Sequence, residues 1–488
     1  MVVFIYLRIM CRMHRTFHLH HTKRENRIDF AKNKTIKTFK LGMNREKKYS
    51  IEKDRLIIAL TGSVGSGCSW LANDFLGKEE KFRGENFRVF SIKKEILAVE
   101  AQKKGIDLTK GKRSKRKKLQ DVGNKLRKED IHDGNSGGIL IREAIAILER
   151  EKCKNPIIIY SIKNPLEVEE LKKYSNAYLI AMDTTLPIRW NRIKEKQYKN
   201  DYRQFLREDE RDKDESLTIS VGERMYYYGQ QVQKCVDLAD IVIDNDMDFN
   251  DSEDKKDKLK NKIRQHLNVI HKPGYRNPKN MELLMNNAYC TSLQSRCLKR
   301  QVGAIIIKEE NDSKDQVGGY YLISAGCNNV PEGQSDCSKE YKTCYRDKKK
   351  AELFERIRHC PNCGQKLREG KCSNKKCDYS KTKSDVRDSF LLGKALDLCR
   401  ALHAEENAIL QISYLGGFPL KDAILYTTTF PCLLCAKKIL ANGIKEVVYV
   451  EPYPVEEARQ MLESAGVKLT KFEGVKAQAF YKLFKDYH

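Results

Sequence analysis

Four short runs of β-branched and apolar residues set the strongest limit on how this chain can fold: LIIAL at 56–60, NPIIIY at 155–160, AYLIAM at 177–182 and DIVID at 240–244. Each has the length and composition of a strand, and long polar stretches of helical pattern lie between them. Strands separated this way can be joined in parallel through crossover helices. Residues 51–250 are therefore expected to form an α/β domain on a parallel sheet.

The pattern then breaks. Residues 251–280 are charged at first and carry Pro, Gly and Asn at their end (HKPGYRNPKN), so they read as a linker. A second half, 281–488, opens on a helical pattern (MELLMNNAYCTSLQS). Strands follow at QVGAIIIK (301–308), YYLISAG (320–326), AILYTTT (423–429), EVVYV (446–450) and VKLTKF (467–472). Between the second and third of these, residues 327–398 lose apolar periodicity and become basic and cysteine-rich, the signature of an insertion. A chain of 488 residues exceeds what one core usually serves, which agrees with two domains.

Two polar groups stand where helices of the second half begin. LHAEENAIL (402–410) puts His403 and Glu405 in the first turn of an otherwise apolar-faced helix. TTTFPCLLCAKKIL (427–440) puts Cys432 and Cys435 between a strand and the next helix. One His and two Cys are three zinc ligands with a fourth position open, as a catalytic site requires. Helix starts favour thiolate over thiol. Glu405, two residues from His403, is badly spaced to be a ligand beside it and well placed to act as the base for a water in the open position. The order H-x-E…P-C-x-x-C is the signature of zinc-dependent nucleobase deaminases.

Inside the insertion, Cys360, Cys363, Cys372 and Cys377 fall as C-x2-C-x8-C-x4-C, two pairs that suit a closed structural zinc site. Such a metal would fold a segment with little core of its own. Cys337 and Cys344 are further candidate ligands.

In the first half, LIIALTGSVGSGCSWLANDF sets a glycine-rich loop between a strand and a helix. Gly62, Gly65, Gly67 and Ser69 stand in P-loop register, with Cys68 in the place of the phosphate-binding lysine. Backbone amides at a helix start still attract phosphate, so a nucleotide remains a candidate ligand, whereas phosphoryl transfer without that lysine is disfavoured.

The net charge of +26 is concentrated, with about +10 in residues 1–50, +8 in 101–120 and +7 in 346–381. Charge clustered this way marks loops or phosphate-binding lids as readily as a nucleic-acid surface, and RNA is kept as a candidate partner. The first fifty residues are expected to be a disordered basic extension, with Met43 an alternative start. No run of eighteen apolar residues occurs, so no membrane span is expected. The sixteen cysteines, without a secretory signal and with two groups in metal spacing, point to a reducing cytoplasm.

The second half resembles the deoxycytidylate deaminases, through SRCLKRQVGAIII (295–307), AGCNNVPEG (325–333), HAEENAIL (403–410), TTTFPCLLCAKKIL (427–440) and the segment from Tyr449 to Val475, with Asn407 and the PYP element fitting that branch. The resemblance implies a cytidine-deaminase-like α/β/α domain and a deoxycytidine nucleotide substrate. It gives Asn328 a sugar contact, although Cys327 replaces the usual tyrosine. The backbones of Ala404 and Pro431 would take the cytosine edge, and Tyr453 would lie near the nucleotide. Family members usually assemble as homo-oligomers. The 157–171 and 179–196 segments resemble the later strands and lid of P-loop nucleotide kinases. The two halves together resemble bacterial antiviral dCTP/dCMP deaminases, which implies depletion of the deoxycytidine pool with the P-loop half regulatory. Housekeeping pyrimidine synthesis or editing of nucleic acid would use the same site.

Overall fold

The computed structural model describes residues 55–108, 115–215, 217–222, 224–246, 253–309, 319–360, 362–365, 367–368, 371–374, 376–377, 398–451 and 456–484. The basic extension 1–50 and much of the insertion lie outside them.

In chain order the first half supplies β1 (Ile57–Thr61), the hairpin β2 (Lys81–Phe82) and β3 (Glu85–Asn86), β4 (Arg88–Ser91), β5 (Ile157–Ile162), β6 (Ala177–Asp183), the hairpin β7 (Thr218–Val221) and β8 (Arg224–Tyr227), and β9 (Ile241–Asp244). The second half supplies β10 (Gly303–Glu309), β11 (Tyr320–Cys327), the small hairpin β12 (Leu367–Arg368) and β13 (Lys371–Cys372), β14 (Ile424–Thr429), β15 (Glu446–Glu451), β16 (Lys468–Lys471) and β17 (Gly474–Val475).

The first sheet has the order β17-β9-β6-β1-β5-β4, parallel from β9 to β4. Its alternation is that of a sheet covered on both faces. Ile57, Ala59, Ile157 and Ile159 face the helix Ile139–Arg150, whose Leu140, Ala144, Ile145 and Leu148 are buried there. Ile58, Leu60, Ile158 and Ile180 face Leu71 and Phe75 on the other side.

The second sheet has the order β11-β10-β14-β15-β16. β10 is antiparallel to both neighbours, and β14, β15 and β16 are mutually parallel. One face packs Ile305, Ile307 and Tyr426 on Leu284, Met285 and Ala288 of the helix Asn280–Ser292, in a core continuous with that of the first sheet. The other face packs Ala304, Ile306 and Leu425 on Ala404, Ala408, Ala436 and Ile439. Those last four residues belong to the two helices that carry the candidate metal ligands.

Two features depart from the sequence reading. The stretch 251–280, read as a linker, contains the helix Glu253–His271, whose Leu259, Ile263, Leu267 and Ile270 are buried against Phe75 and Phe480. The apolar residues recur at helical spacing beneath a heavily charged surface, and it is the charge that disguised them. The second half also does not end within itself. β17 pairs antiparallel with β9 at the edge of the first sheet, Val475 N donates to Glu282 Oε1 (2.9 Å), and the helix Gln478–Phe484 buries Phe480 and Leu483 in the first half's core. Lys471 Nζ sits among Asp183 (3.0 Å), Asp244 (3.1 Å) and Asp246 (3.4 Å), so an ion cluster joins β16 to the ends of β6 and β9.

No helix among the described residues is long and apolar enough to cross a membrane.

Candidate active site

His403 is the N-cap of the helix Ala404–Leu415, in extended backbone, and its N–H reaches Glu406 Oε2 at 3.4 Å. Cys432 is the N-cap of the helix Leu433–Ala441, with Cys435 in that helix's first turn. Two helix starts thus point at one spot. His403 Nδ1 lies 3.2 Å from Cys432 Sγ and 3.4 Å from Cys435 Sγ, and the three donor atoms all fall within 4.8 Å of one another. Ligands on a tetrahedral zinc, with Zn–S and Zn–N bonds of usual length, stand about 3.5 Å apart. Their chemistry and spacing both fit that ion.

Glu405 is buried, with Oε2 3.6 Å from Cys435 Sγ and Oε1 accepting from Thr427 Oγ1 at 3.2 Å. Burial pushes its carboxyl above the ordinary range. Among the sulfurs, the hydrogen bond from Cys435 pushes Cys432 down to about 4 despite burial, with His403 adding to the effect.

A cavity of about 310 Å³ opens on these groups, with His403, Ala404, Glu405, Phe430 and Cys432 on its wall. Asn328 also lines it. Its Oδ1 accepts from Val302 N (2.7 Å) and its Nδ2 donates to Arg300 O (2.8 Å), which pins the loop before β10 to the wall. Ala404 and Pro431 are buried beside the ligands. Asn407 donates to Cys327 O at 2.9 Å and so ties the site's helix to β11. Tyr453 lies outside the described residues. Sequence reasoning passed over Thr427, Lys299, Arg300 and Arg346. Thr427 is one of three consecutive threonines, where nothing in the sequence singles out the one that meets Glu405, and Arg346 is one of many basic residues of the insertion, where charge alone distinguishes none.

The four ribbon cysteines do converge. Cys360 Sγ is 3.7 Å from Cys377 Sγ and Cys363 Sγ 3.3 Å from Cys372 Sγ, all four within 4.8 Å, and Cys372 itself ends β13 of the small hairpin. Cys337 and Cys344 are not in that group, and Cys344 instead lines the active-site cavity. In the first half, Gly62, Gly65 and Gly67 all have positive φ, and a Cβ at Gly67 would meet Asn245 Nδ2 at 2.4 Å, so the loop needs its glycines. Ser69 is exposed on the first turn after it and lines a second cavity.

Residues 278–451 match the sequence model of the cytidine and deoxycytidylate deaminase zinc-binding region. The deoxycytidylate deaminase of Schizosaccharomyces pombe is 28% identical over 244 residues, which are 48% of this chain and 54% of that protein. A UPF0200 protein of Pyrococcus horikoshii is 28% identical over 214 residues, 43% of this chain and 97% of that protein. A solved dCMP deaminase of the cyanophage S-TIM5 is 21% identical, with 40% of this chain and all of that one covered, at a TM-score of 0.24. The chain spans about half the length of the first curated relatives it matches.

Proposed function

We propose that this chain, a member of the deoxycytidylate deaminase family, hydrolyses the amino group from deoxycytidine nucleotides, dCMP, dCTP or both. The observation that carries the reading is the convergence of His403, Cys432 and Cys435 from two helix starts, with buried Glu405 beside them at the floor of a nucleoside-sized cavity. His403, Cys432 and Cys435 would hold a zinc ion, which when bound would acidify a water for the attack.

The chain's own residues do the rest. Glu405, kept basic enough by its buried setting, takes a proton from the attacking water as oxygen bonds to the amine-bearing ring carbon. It returns protons to the ring nitrogen and then to the departing amine. The carbon–nitrogen bond breaks, a carbonyl remains, and water and cytosine become uracil and ammonia without net proton uptake by the protein. The backbones of Ala404 and Pro431 hold the base edge. Asn328 faces the sugar with the amide hydrogen that the Arg300 carbonyl leaves open. Lys299, Arg300 and Arg346 give the mouth the positive charge that a phosphorylated substrate requires.

The finer reading takes the first half as a kinase-like domain, degenerate at Cys68, that regulates the second half. It takes the four ribbon cysteines as a structural zinc site and the working enzyme as a homo-oligomer in the cytoplasm. Its role would be to drain the deoxycytidine pool that an infecting virus needs. Incubation with dCMP and dCTP, followed by chromatography, should yield deoxyuridine nucleotide and ammonia in equal amounts. Glu405→Ala should lower turnover by roughly a thousandfold while zinc is retained. A zinc-loaded protein that leaves both free nucleotides untouched overturns the reading. Expression in cells should lower deoxycytidine nucleotides with the active protein and not with Glu405→Ala.

A further inference from the structure

The deamination chemistry makes no use of a second cavity, about 450 Å³, whose floor is the loop from Gly62 to Ser69. Cys68 lines it but brings no positive charge, and its thiol donates back to Thr61 O at 3.2 Å. A lysine reaches the loop from elsewhere. Lys163, just beyond β5, donates from Nζ to Gly62 O at 3.0 Å and pairs with Asp212 at 2.9 Å.

The path of β5 explains how it gets there. β1 and β5 run in register from Ile57↔Ile157 to Leu60↔Tyr160, and then Thr61 pairs with Ile162, so Ser161 is an extra residue. Ser161 has φ +80, a left-handed conformation costly for a residue with a side chain. Side chains alternate along a strand, and one inserted residue exchanges the faces of all that follow. Ile162 accordingly joins Ile157 and Ile159 in one core, and Lys163 falls on the face of Ile158 and Tyr160, where the helix after the loop packs. A regular strand would have sent Lys163 to the other side of the sheet.

The remaining wall suits an anion with an apolar body. Lys93, Arg116, Lys163 and Arg192 are among the seven basic residues that line it, and the one acid among the described lining residues is Asp212. Burial alone would raise the Asp212 carboxyl, but Arg116 and Lys163 hold it well below the usual range, so it is ionised and offsets one of the seven positive charges. Away from the loop the wall is Ile92, Leu97, Leu119 and Leu140. The volume is that of a small-molecule site.

We propose that this cavity binds a nucleoside polyphosphate, with Lys163, delivered by the bulge at Ser161, supplying the ammonium that Cys68 cannot. The loop amides and Lys163 take the phosphate chain, and the apolar wall takes the nucleoside. The site stands on its own observations, so its failure would leave the deaminase reading intact, and the reverse also holds.

Calorimetry on the full-length zinc-loaded protein should show binding of ATP, and weaker binding of inorganic tripolyphosphate, which lacks the apolar part. Lys163→Gln should weaken both by roughly ten- to a hundredfold, the usual worth of a charge-assisted hydrogen bond, and Lys163→Arg should recover most of the loss. Should Lys163→Gln fail to fold, acetylation of the wild-type protein gives the answer without a variant: ATP should protect Lys163 and leave exposed Lys78 unchanged. No binding of ATP by folded wild-type protein, binding unchanged in Lys163→Gln, or Lys163 acetylated equally with and without ATP would each overturn the proposal. Equal affinity for ATP and tripolyphosphate would overturn its nucleoside part.

Discussion

Thr427 Oγ1 lies 3.2 Å from Glu405 Oε1 and 2.9 Å from Thr429 O, so one hydroxyl on β14 stands between the candidate proton carrier and a backbone carbonyl. A hydroxyl has one hydrogen and two lone pairs. It can donate to an ionised Glu405, or accept from a protonated one while donating to Thr429. Either way it fixes the carboxyl's orientation through the proton's round trip.

Thr427→Val keeps the shape and removes the hydroxyl. We expect kcat for deamination to fall about tenfold, with zinc content unchanged, because a hydrogen bond to an ionised group is worth about 1.5–3 kcal/mol. Steady-state kinetics beside metal analysis checks it, and an unchanged kcat would assign Thr427 to packing alone.

Gly326 on β11 lies against the helix that begins at His403. A Cβ there would stand 2.3 Å from Ala408 N and 2.6 Å from Ala404 O, both backbone atoms that cannot swing aside. Gly326→Ala must therefore push the helix off the sheet, at a cost of about 1–3 kcal/mol. It also moves His403 and Glu405 relative to the cysteines. Urea unfolding and activity should both register the change, with activity lost even where the protein remains folded.

His266, on the helix Glu253–His271, is buried with no hydrogen-bond partner for Nδ1 among the described residues. Burial lowers its pKa from 6.5 to about 4, with Glu282 opposing and Arg276 assisting. Between those values the unfolded chain binds the proton and the folded one does not, so stability falls as pH drops from 6.5 to 4, by about 3 kcal/mol. Above pH 6.5 the imidazole is neutral in both states and contributes no slope. His266→Phe should flatten the acid limb of stability against pH, followed by chemical denaturation in a series of buffers.

Burial works against the Lys471 ammonium, yet Asp183, Asp244 and Asp246 hold its pKa well above the usual lysine range. Lys471→Met leaves three carboxylates facing one another, and a loss of about 3–5 kcal/mol is expected at neutral pH. Protonating the aspartates relieves their repulsion, so the gap between variant and wild type should narrow below about pH 5. A gap independent of pH would mean that the aliphatic stem, rather than the charge, is what matters.

Much of this could be read in the sequence because it is local. LIIAL, AYLIAM and EVVYV are strands within a residue or so of where their composition puts them. His403 and Cys432 are helix caps, as their position before apolar-faced helices implies. What escaped depends on partners far along the chain. RVFS of β4 is a strand because β5 lies beside it, and nothing in its own pattern competes with the charged residues around it. Gly474–Val475 is too short to announce itself and exists only as the partner of β9. The aim of Lys163 rests on a single extra residue in β5, which apolar content cannot reveal.

The placement of β17 bears on the order in which the molecule can be made. The edge strand of the first sheet is among the last parts of the described chain to leave the ribosome, more than two hundred residues after β9, which it pairs. Until then β9 has a bare edge, and the core beneath Phe480 and Leu483 is open. The first half therefore waits for the second, and truncation anywhere before Gly474 should leave a product with an unprotected sheet edge rather than a self-sufficient domain. Exchanging the two halves between relatives as cassettes would meet the same obstacle unless residues from Gly474 onward travel with the first half.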